Sequence, residues 1–262
     1  MKRWRYVLLV LCTAVISISG TYLMTYFMRS EENKQEYEDI SQIGFPETEA
    51  DHEEENDQQD VKQSEDDFDY QSLIAMNSDC VGWIQIPGTD INYPVVQAAD
   101  NEFYLTHNFN RETAACGAIF MDYRNDVDAK AEHLILYGHQ MKDNSMFKQL
   151  NGYKEEIFYK EHPNIKLYLH EQKYEYEITA VYVTDVANGG GYYNYLHWNT
   201  RKEQLNYLQQ KMAGYQIYDT GKKVMETDEL LSLSTCEYSS DNGRLIVQAR
   251  RKGKMTDGKQ II

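Results

Sequence analysis

The sequence predicts a mostly-β domain, either a barrel or a sandwich with helical insertions, that follows an apolar N-terminal segment and an acidic linker. Short runs rich in β-branched and aromatic residues recur between residues 81 and 250, and several alternate between apolar and polar side chains. Few segments have helical spacing, and the strands do not alternate with helices as they do in a parallel α/β sheet. With 262 residues, 42% of them hydrophobic, the chain can fold one domain with appendages, and a wholly disordered protein is excluded.

The N-terminus predicts a membrane anchor. Residues 6–28 carry no charge, and these 23 residues exceed the roughly 20 that a helix needs to span a hydrocarbon core. The alternative is a cleavable signal peptide, but its apolar region is usually only about 7–15 residues long, and no clear cleavage site precedes Arg29. Three basic side chains within residues 1–5 favour a cytoplasmic N-terminus, so the rest of the chain is expected outside the cell membrane.

The negative charge of the chain is concentrated in one segment. The formal net charge is −16, and residues 31–70 alone carry 17 acidic and two basic side chains. The remainder is nearly neutral, which together with the overall sign argues against a nucleic-acid binder. We expect residues 29–69 to form an extended, solvated extracellular stalk, because such a composition cannot bury enough apolar surface to fold. Residues 70–262 are expected to be the folded domain.

The first predicted elements of the domain follow from local pattern. Residues 70–77 suit a short helix, and the strand predicted at 81–86 ends at the turn signal Pro87-Gly88. An almost unbroken apolar run at 133–137 is typical of a strand buried on both faces. Residues 174–183 alternate, with large apolar side chains on one face and Glu or Thr on the other. Further strands are predicted at 91–97, 117–123, 230–236 and 244–250.

A longer helix is predicted near residues 200–214. Thr200 and Glu203 have the spacing of a capping box, and Gly214 is a suitable stop. An apolar stripe at helical spacing supports it: Leu205, Leu208, Met212 and Tyr215.

The four cysteines do not form a metal motif or a disulfide scaffold, because no CxxC pair or Cys/His cluster with zinc-ligand spacing occurs. Cys12 lies in the apolar N-terminal run. The sequence leaves open whether Cys80 and Cys116 form a disulfide bond with each other.

Cys236 is the candidate nucleophile. In the strand Leu231-Ser232-Leu233-Ser234-Thr235-Cys236, the leucines share one face and Ser232, Ser234 and Cys236 share the other. A structural cysteine would more naturally lie with the leucines. Cys236 is therefore expected at the end of a strand on a small, polar face, although a structural role is the open alternative.

His139 and Arg244 are the candidate partners of Cys236. His139 comes directly after the buried strand and Gly138, where a scaffold presents functional groups. Asp241-Asn242-Gly243 is a hairpin signal, and a hairpin would bring Arg244 back beside Cys236. The alternatives are an ordinary surface histidine and an ordinary strand-edge arginine.

Together these residues suit acyl transfer. A thiolate attacks an acyl carbon, a histidine donates a proton to the leaving amine, and a guanidinium stabilises charge on the carbonyl oxygen. No acidic third member of a triad is identified.

Several segments resemble the class B sortases, a subgroup of the membrane-anchored cysteine transpeptidases of Gram-positive bacteria. The resemblance covers residues 70–255 and includes Leu136-Tyr137-Gly138-His139, Leu233-Ser234-Thr235-Cys236 and the trailing Arg244. It implies an eight-stranded sortase β-barrel with an N-terminal helix and a helix inserted before the cysteine strand, preceded by one transmembrane helix. Supporting segments are Val81–Thr89, Ile91–Gln97, Phe103-Tyr104-Leu105 and Gly117–Asn125.

The resemblance also implies roles for single residues. Cys236 matches the nucleophile, His139 the acid/base and Arg244 the residue that holds the substrate carbonyl, while Ser234 lies where the family lines its substrate groove. The implied reaction cleaves a C-terminal sorting signal after threonine, forms a thioester and transfers the protein to a peptidoglycan amine, either on a precursor or on a cross-bridge. No metal and no cofactor are expected. The biological role stays open between haem-iron uptake, adhesin anchoring and pilus assembly.

Other classes fit less well. An L,D-transpeptidase places glycine before its cysteine and arginine two residues after it, whereas Thr235 and Tyr238 stand here. Papain-like peptidases place cysteine before histidine in the chain. An adhesin or wall-binding module would suit the 22 tyrosines but would not need aligned His, Cys and Arg residues.

Overall fold

The computed structural model divides the chain into two compact units, residues 1–39 and 40–262. The described residues are 2–46, 68–127, 132–185, 200, 202–203, 206, 212–238, 242–253, 255–256 and 259–260.

Helix α1 (Lys2–Gly44) begins in the first unit and is, among the described residues, the one helix long and apolar enough to cross a membrane. Hydroxyls within its apolar part are bonded inside the helix, since Thr13, Thr21 and Thr25 each donate to a backbone carbonyl three or four residues earlier, at 2.9 Å. These bonds satisfy the hydroxyl groups within the helix, where a lipid environment would offer them no hydrogen-bond partner.

The extended conformation expected for residues 29–69 differs from the structure in its first part, because residues 29–44 are helical. Side-chain pairs at helical spacing stabilise this helical segment: Lys34 lies 3.7 Å from Glu31, and Gln35 donates to Asp39 at 2.8 Å. Residues 47–67 lie outside the described residues, and the domain boundaries stay predictions.

The second unit contains the end of α1 and most of the regular elements. The helices are α2 (Tyr70–Met76) and α3 (Glu156–Glu161), with 3₁₀ turns at Phe103–Leu105, Phe147–Lys154 and Met212–Tyr215. The strands are β1 (Cys80–Gln85), β2 (Asn92–Val96), β3 (Ile119–Met121), β4 (His133–Tyr137), β5 (Asn164–Leu169), β6 (Gln172–Asp185), β7 (Leu230–Glu237), β8 (Gly243–Arg251), β9 (Met255–Thr256) and β10 (Lys259–Gln260).

Eight strands close a barrel in the order β1-β2-β3-β4-β7-β8-β6-β5, while β9 and β10 pair separately. The pairs β2/β3 and β4/β7 are parallel, and the other neighbours are antiparallel. The predicted eight-stranded barrel is therefore confirmed. Strand β5 was not predicted from the sequence.

Strand β6 departs from the alternation predicted for residues 174–183. A β-bulge between Ile178 and Ala180 inserts Thr179 without a cross-strand partner, and every residue from Ile178 to Tyr182 is buried. The expected division into one apolar and one polar face therefore fails from Thr179 onward, because a bulge shifts the faces of a strand.

The inserted helix falls largely outside the described residues, including Leu205 and Leu208. Its predicted start is seen, since the backbone N–H of Glu203 donates to the Thr200 hydroxyl at 3.3 Å. Tyr215 belongs to a 3₁₀ turn rather than to a continued α-helix.

An aromatic cluster holds the segments that precede the barrel against β1 and β5. The ring of Phe45 lies 5.5 Å from that of Trp83 and 5.2 Å from that of Tyr168, and Phe68 lies 4.9 Å from Tyr168. Trp83 is fully buried. The domain therefore takes part of its packing from residues before residue 70.

Candidate active site

Cys236 and Arg244 lie next to each other on neighbouring strands. In the antiparallel pair of β7 and β8, the α-carbons of Cys236 and Arg244 are direct partners. The hairpin predicted from the turn signal is confirmed. Both side chains are half-buried, and an Nη1 of Arg244 donates to the carbonyl of Gly243 at 2.8 Å.

The wall of the barrel around Cys236 is more buried than the sequence implied. Ser232 and Ser234 are 0% and 2% exposed, so the face they share with Cys236 is covered like the leucine face. The Ser232 hydroxyl is bonded to the ring of His133 at 2.8 Å, which satisfies its polar group. Ser232 is thus part of the core, whereas Ser234 is buried but borders the cleft described below, and larger exposure begins at Cys236.

His139 comes level with Cys236 because β4 and β7 are parallel. Tyr137 is the partner of Ser234, and the N–H of Gly138 donates to the carbonyl of Ser234 at 3.2 Å. Two residues further along both chains stand His139 and Cys236. Nε2 of His139 lies 2.7 Å from the carbonyl oxygen of Leu105. Because a carbonyl only accepts, Nε2 carries a proton, and Nδ1 is left to exchange one.

Two glycines allow the histidine segment to pack closely. A Cβ on Gly117, whose φ is +58°, would stand 2.4 Å from the carbonyl oxygen of Tyr104 and 3.1 Å from Cδ2 of His139. A Cβ on Gly138 would stand 2.7 Å from a ring carbon of Phe147. Both positions therefore require glycine, and sequence reasoning had not singled out Gly117.

Gln140 connects the histidine segment to the cysteine strand. Its amide nitrogen donates to the carbonyl of Cys236 at 2.9 Å, and its amide oxygen accepts from Nζ of Lys148 at 3.0 Å. Lys154 pairs with Glu237 at 2.7 Å. These contacts hold the end of β7, and no local sequence pattern predicts them because the partners lie far apart in the chain.

An open cleft of about 410 Å³ brings the candidate residues together. His139, Ser234, Cys236 and Arg244 all line it, so the four residues singled out in the sequence lie in one place. Two arginines line the cleft, and no carboxylate does among the described residues. The second arginine is Arg124, which sequence reasoning had not assigned.

Arg124 is held by the buried carboxylate of Asp122. Its Nε and Nη2 donate to the two carboxylate oxygens at 2.8 and 2.7 Å, and Tyr137 and Asn101 donate to the same group at 2.8 and 3.1 Å. Burial by itself raises the pKa of Asp122, but the hydrogen bonds from Arg124 and Tyr137 outweigh burial and hold that pKa below its ordinary value. Asp122 is therefore ionised and orients Arg124.

The other cysteines of the domain have settings unlike that of Cys236. Cys80 and Cys116 are buried free thiols, so the pairing left open by the sequence is absent. Burial raises the pKa of Cys80 to about 12, which disfavours the reactive thiolate. Among the described residues, no group of three or more His, Cys, Asp or Glu side chains is placed to hold a metal ion.

Comparisons with known proteins agree on one family. A family model described as "Sortase domain" matches residues 84–252. "Sortase B" of Listeria monocytogenes is 38% identical over 180 residues, which cover 68% of this chain and 72% of the relative. "Sortase B" of Staphylococcus aureus is 31% identical over 261 residues, covering 95% and 97% of the two chains. A crystal structure of sortase B from Bacillus anthracis in complex with AAEK2 superposes with a TM-score of 0.70 at 34% identity, covering 84% of this chain and 96% of that one.

Proposed function

The chain belongs to the sortase family, as a cysteine transpeptidase of the sortase B type, and from this we propose that Cys236, His139 and Arg244 perform its reaction on a sorting-signal peptide. The observation that carries the proposal is that the three residues lie at one end of the barrel, in one cleft. His139 follows the last residue of β4, Cys236 is near the last residue of β7, and Arg244 is near the first residue of β8. The pairing of Cys236 with Arg244, and the bond from the N–H of Gly138 to the carbonyl of Ser234, support this arrangement.

In the first half of the reaction, the thiolate of Cys236 attacks the carbonyl carbon of the threonine in the sorting signal. An S–C bond forms, and the carbonyl electrons move to the oxygen, where the guanidinium of Arg244 stabilises the negative charge. His139 then gives a proton to the leaving amine nitrogen, and the C–N bond breaks. The products are a thioester on Cys236 and the released C-terminal peptide.

In the second half, an amine from a peptidoglycan precursor or cross-bridge attacks the thioester carbon. His139, now without its extra proton, accepts the proton of that amine, and the S–C bond breaks to regenerate the thiolate. The new C–N bond links the surface protein to the cell wall. Ser234 is assigned to the lining of the peptide groove, because it borders the cleft two residues before Cys236.

We place the enzyme in the cell membrane as a single-pass protein with its N-terminus in the cytoplasm and its catalytic domain outside. The apolar helix α1 and the basic residues that begin it support this orientation. Residues 1–5, 6–28, 29–69 and 70–262 are then the cytoplasmic end, anchor, stalk and catalytic domain. Protease treatment of intact cells should remove the catalytic domain and spare only the anchor, and protection of the domain would contradict the orientation.

The function is tested by incubating the full chain, in detergent micelles, with a panel of sorting-signal peptides that contain threonine before the scissile bond. We expect cleavage of at least one peptide, transfer to an added amine, and loss of both reactions in Cys236→Ala. Cys116→Ala is the matched control, since Cys116 is a buried thiol outside the cleft. Cleavage that persists in Cys236→Ala would contradict the assignment.

A further inference from the structure

We propose that Tyr104 is a positioning residue for acyl transfer: its buried hydroxyl anchors the turn whose Leu105 carbonyl orients the ring of His139. Tyr104 is not among the described residues that line the cleft, so it acts on the reaction through Leu105. This inference deepens the proposed function and rests on it, since the orientation of His139 affects the rate only if His139 moves the protons of the reaction.

The ring of His139 is oriented by a backbone carbonyl. Nε2 lies 2.7 Å from the oxygen of Leu105, and the described residues that line the cleft bring no carboxylate that would take this role. A histidine that exchanges protons at one ring nitrogen is held in one tautomer and one orientation by an acceptor at the other nitrogen. The position of the Leu105 carbonyl therefore determines where Nδ1 of His139 points.

The turn that carries Leu105 depends on its neighbour for packing. Phe103–Leu105 is a single 3₁₀ turn, and such short turns have poorer hydrogen-bond geometry than an α-helix. Leu105 is 40% exposed, whereas Tyr104 is 1% exposed. The turn is therefore held against the domain through Tyr104.

The hydroxyl of Tyr104 lies in a fully bonded polar site. It donates to Oδ2 of Asp79 at 2.7 Å and accepts from Nδ2 of Asn77 at 2.9 Å. Burial raises the pKa of Tyr104 well above its ordinary value, so the hydroxyl keeps its proton and remains a donor. Asn77 and Asp79 lie between the end of α2 and the start of β1, so these bonds tie the turn to the frame of the barrel.

The backbone of the same turn is tied to the segment that enters β3. The N–H of Ala118 donates to the carbonyl of Tyr104 at 3.0 Å. A Cβ on Gly117 would stand 2.4 Å from the carbonyl oxygen of Tyr104 and 3.1 Å from that of Leu105. Because both carbonyls pack against the same glycine, a displacement of Tyr104 also moves the carbonyl that holds His139.

Tyr104→Phe tests the anchor, because it removes the hydroxyl and keeps the ring. In peptide cleavage by the full chain in detergent micelles, we expect kcat to fall about tenfold with little change in KM. The reason is that a small displacement of His139 affects proton transfer more than peptide binding.

NMR of the ring nitrogens of His139 is the second measurement, and it does not depend on activity. Its signals are identified by their absence in His139→Gln. In the unsubstituted chain at low temperature, we expect the neutral ring to carry its proton on Nε2 and to give the low-field proton signal of a hydrogen-bonded N–H. This proton signal should broaden or disappear in Tyr104→Phe.

Tyr153→Phe is the matched control for the loss of a buried hydroxyl. Tyr153 is 0% exposed, its hydroxyl donates to the carbonyl of His162 at 2.7 Å, and it is not among the described residues that line the cleft. We expect this variant to lower Tm about as much as Tyr104→Phe does, and to keep both kcat and the His139 signal.

An unchanged kcat or an unchanged His139 signal in Tyr104→Phe would overturn the proposal, because the hydroxyl would then serve stability alone. A neutral His139 that carries its proton on Nδ1 in the unsubstituted chain would also overturn it, and this result does not require the variant to fold. Failure of the proposed function looks different, since no peptide would be cleaved while the His139 signal would still respond to Tyr104→Phe.

Discussion

The α-carbons of Cys236 and Arg244 are direct cross-strand partners in the antiparallel pair of β7 and β8. Partners of this kind point to the same face of a sheet, with Cβ atoms about 4.5–5.5 Å apart. The sulfur and the guanidinium therefore extend from neighbouring points on one face, and under the proposed function we expect the guanidinium to reach the oxygen of an acyl group bound to the sulfur. The backbone itself fixes this relationship, so substitutions can test the side chains without moving the frame.

Arg244→Lys should keep the positive charge and lose most of the activity. Guanidinium offers a rigid planar fork of donors, and an ammonium group is a point charge on a flexible stem. We expect kcat to fall roughly 10²-fold, as on removal of one oxyanion-hole donor, with an unchanged Tm. Steady-state kinetics and thermal unfolding measure the two effects. Arg111→Lys, outside the cleft, is the matched control, and a near-normal kcat in Arg244→Lys would remove Arg244 from the mechanism.

Gln140→Ala should lower kcat by about tenfold or more while KM changes little. The side chain of Gln140 holds the carbonyl of Cys236, and small displacements of a reacting group have large effects on rate. Gln149→Ala is the control, because Gln149 bonds to the exposed Asp90 instead. A lower Tm with an unaffected kcat would show that Gln140 serves stability alone.

Gly117→Ala should damage both stability and activity, whereas Gly221→Ala should affect stability alone. Both glycines have positive φ, +58° and +70°, so alanine costs about 1 kcal/mol at either site. Only at Gly117 would the new Cβ meet the carbonyl of Tyr104 and approach the ring of His139; nothing lies within 4 Å at Gly221. Urea unfolding and kcat measure the two effects. An active Gly117→Ala variant that resembles Gly221→Ala would contradict the close packing around His139.

Phe45→Ala should destabilise the catalytic domain by about 1–3 kcal/mol, because it removes a half-buried ring from Phe68, Trp83 and Tyr168. The control is Ile43→Ala, since Ile43 is exposed and should change the free energy of unfolding by less than about 0.5 kcal/mol. Urea unfolding of a fragment that begins at residue 30 measures both. Equal stability of the two variants would mean that the domain does not depend on residues before 70.

The sequence predicted the strands that carry the site because their pattern is strong and local. Residues 133–137 coincide with β4, and 230–236 and 244–250 match β7 and β8 to within a residue. The turn signal between the last two was sufficient to place Arg244 beside Cys236.

Other features depend on contacts that no local pattern encodes. Strand β5 joins β6 through the two-residue turn His170-Glu171, where His170 has a φ of +52° and the usual Asn-Gly signal is missing. The bulge at Thr179 depends on pairing with β8. The bonds of His139 to Leu105, of Gln140 to Cys236 and of Asp122 to Tyr137 each join residues distant in the chain.

The most direct test of the account is to trap the acyl-enzyme. The full chain is incubated with an intact sorting-signal peptide that it is able to cleave. The reaction is quenched in acid, and the protein is digested and analysed by mass spectrometry. We predict a thioester adduct, with the mass of the peptide up to its threonine, on the fragment that contains Cys236. The adduct should persist in Cys80→Ala and Cys116→Ala and disappear in Cys236→Ala. An adduct on any other cysteine, or cleavage with no covalent adduct at Cys236, would contradict the assignment of the nucleophile.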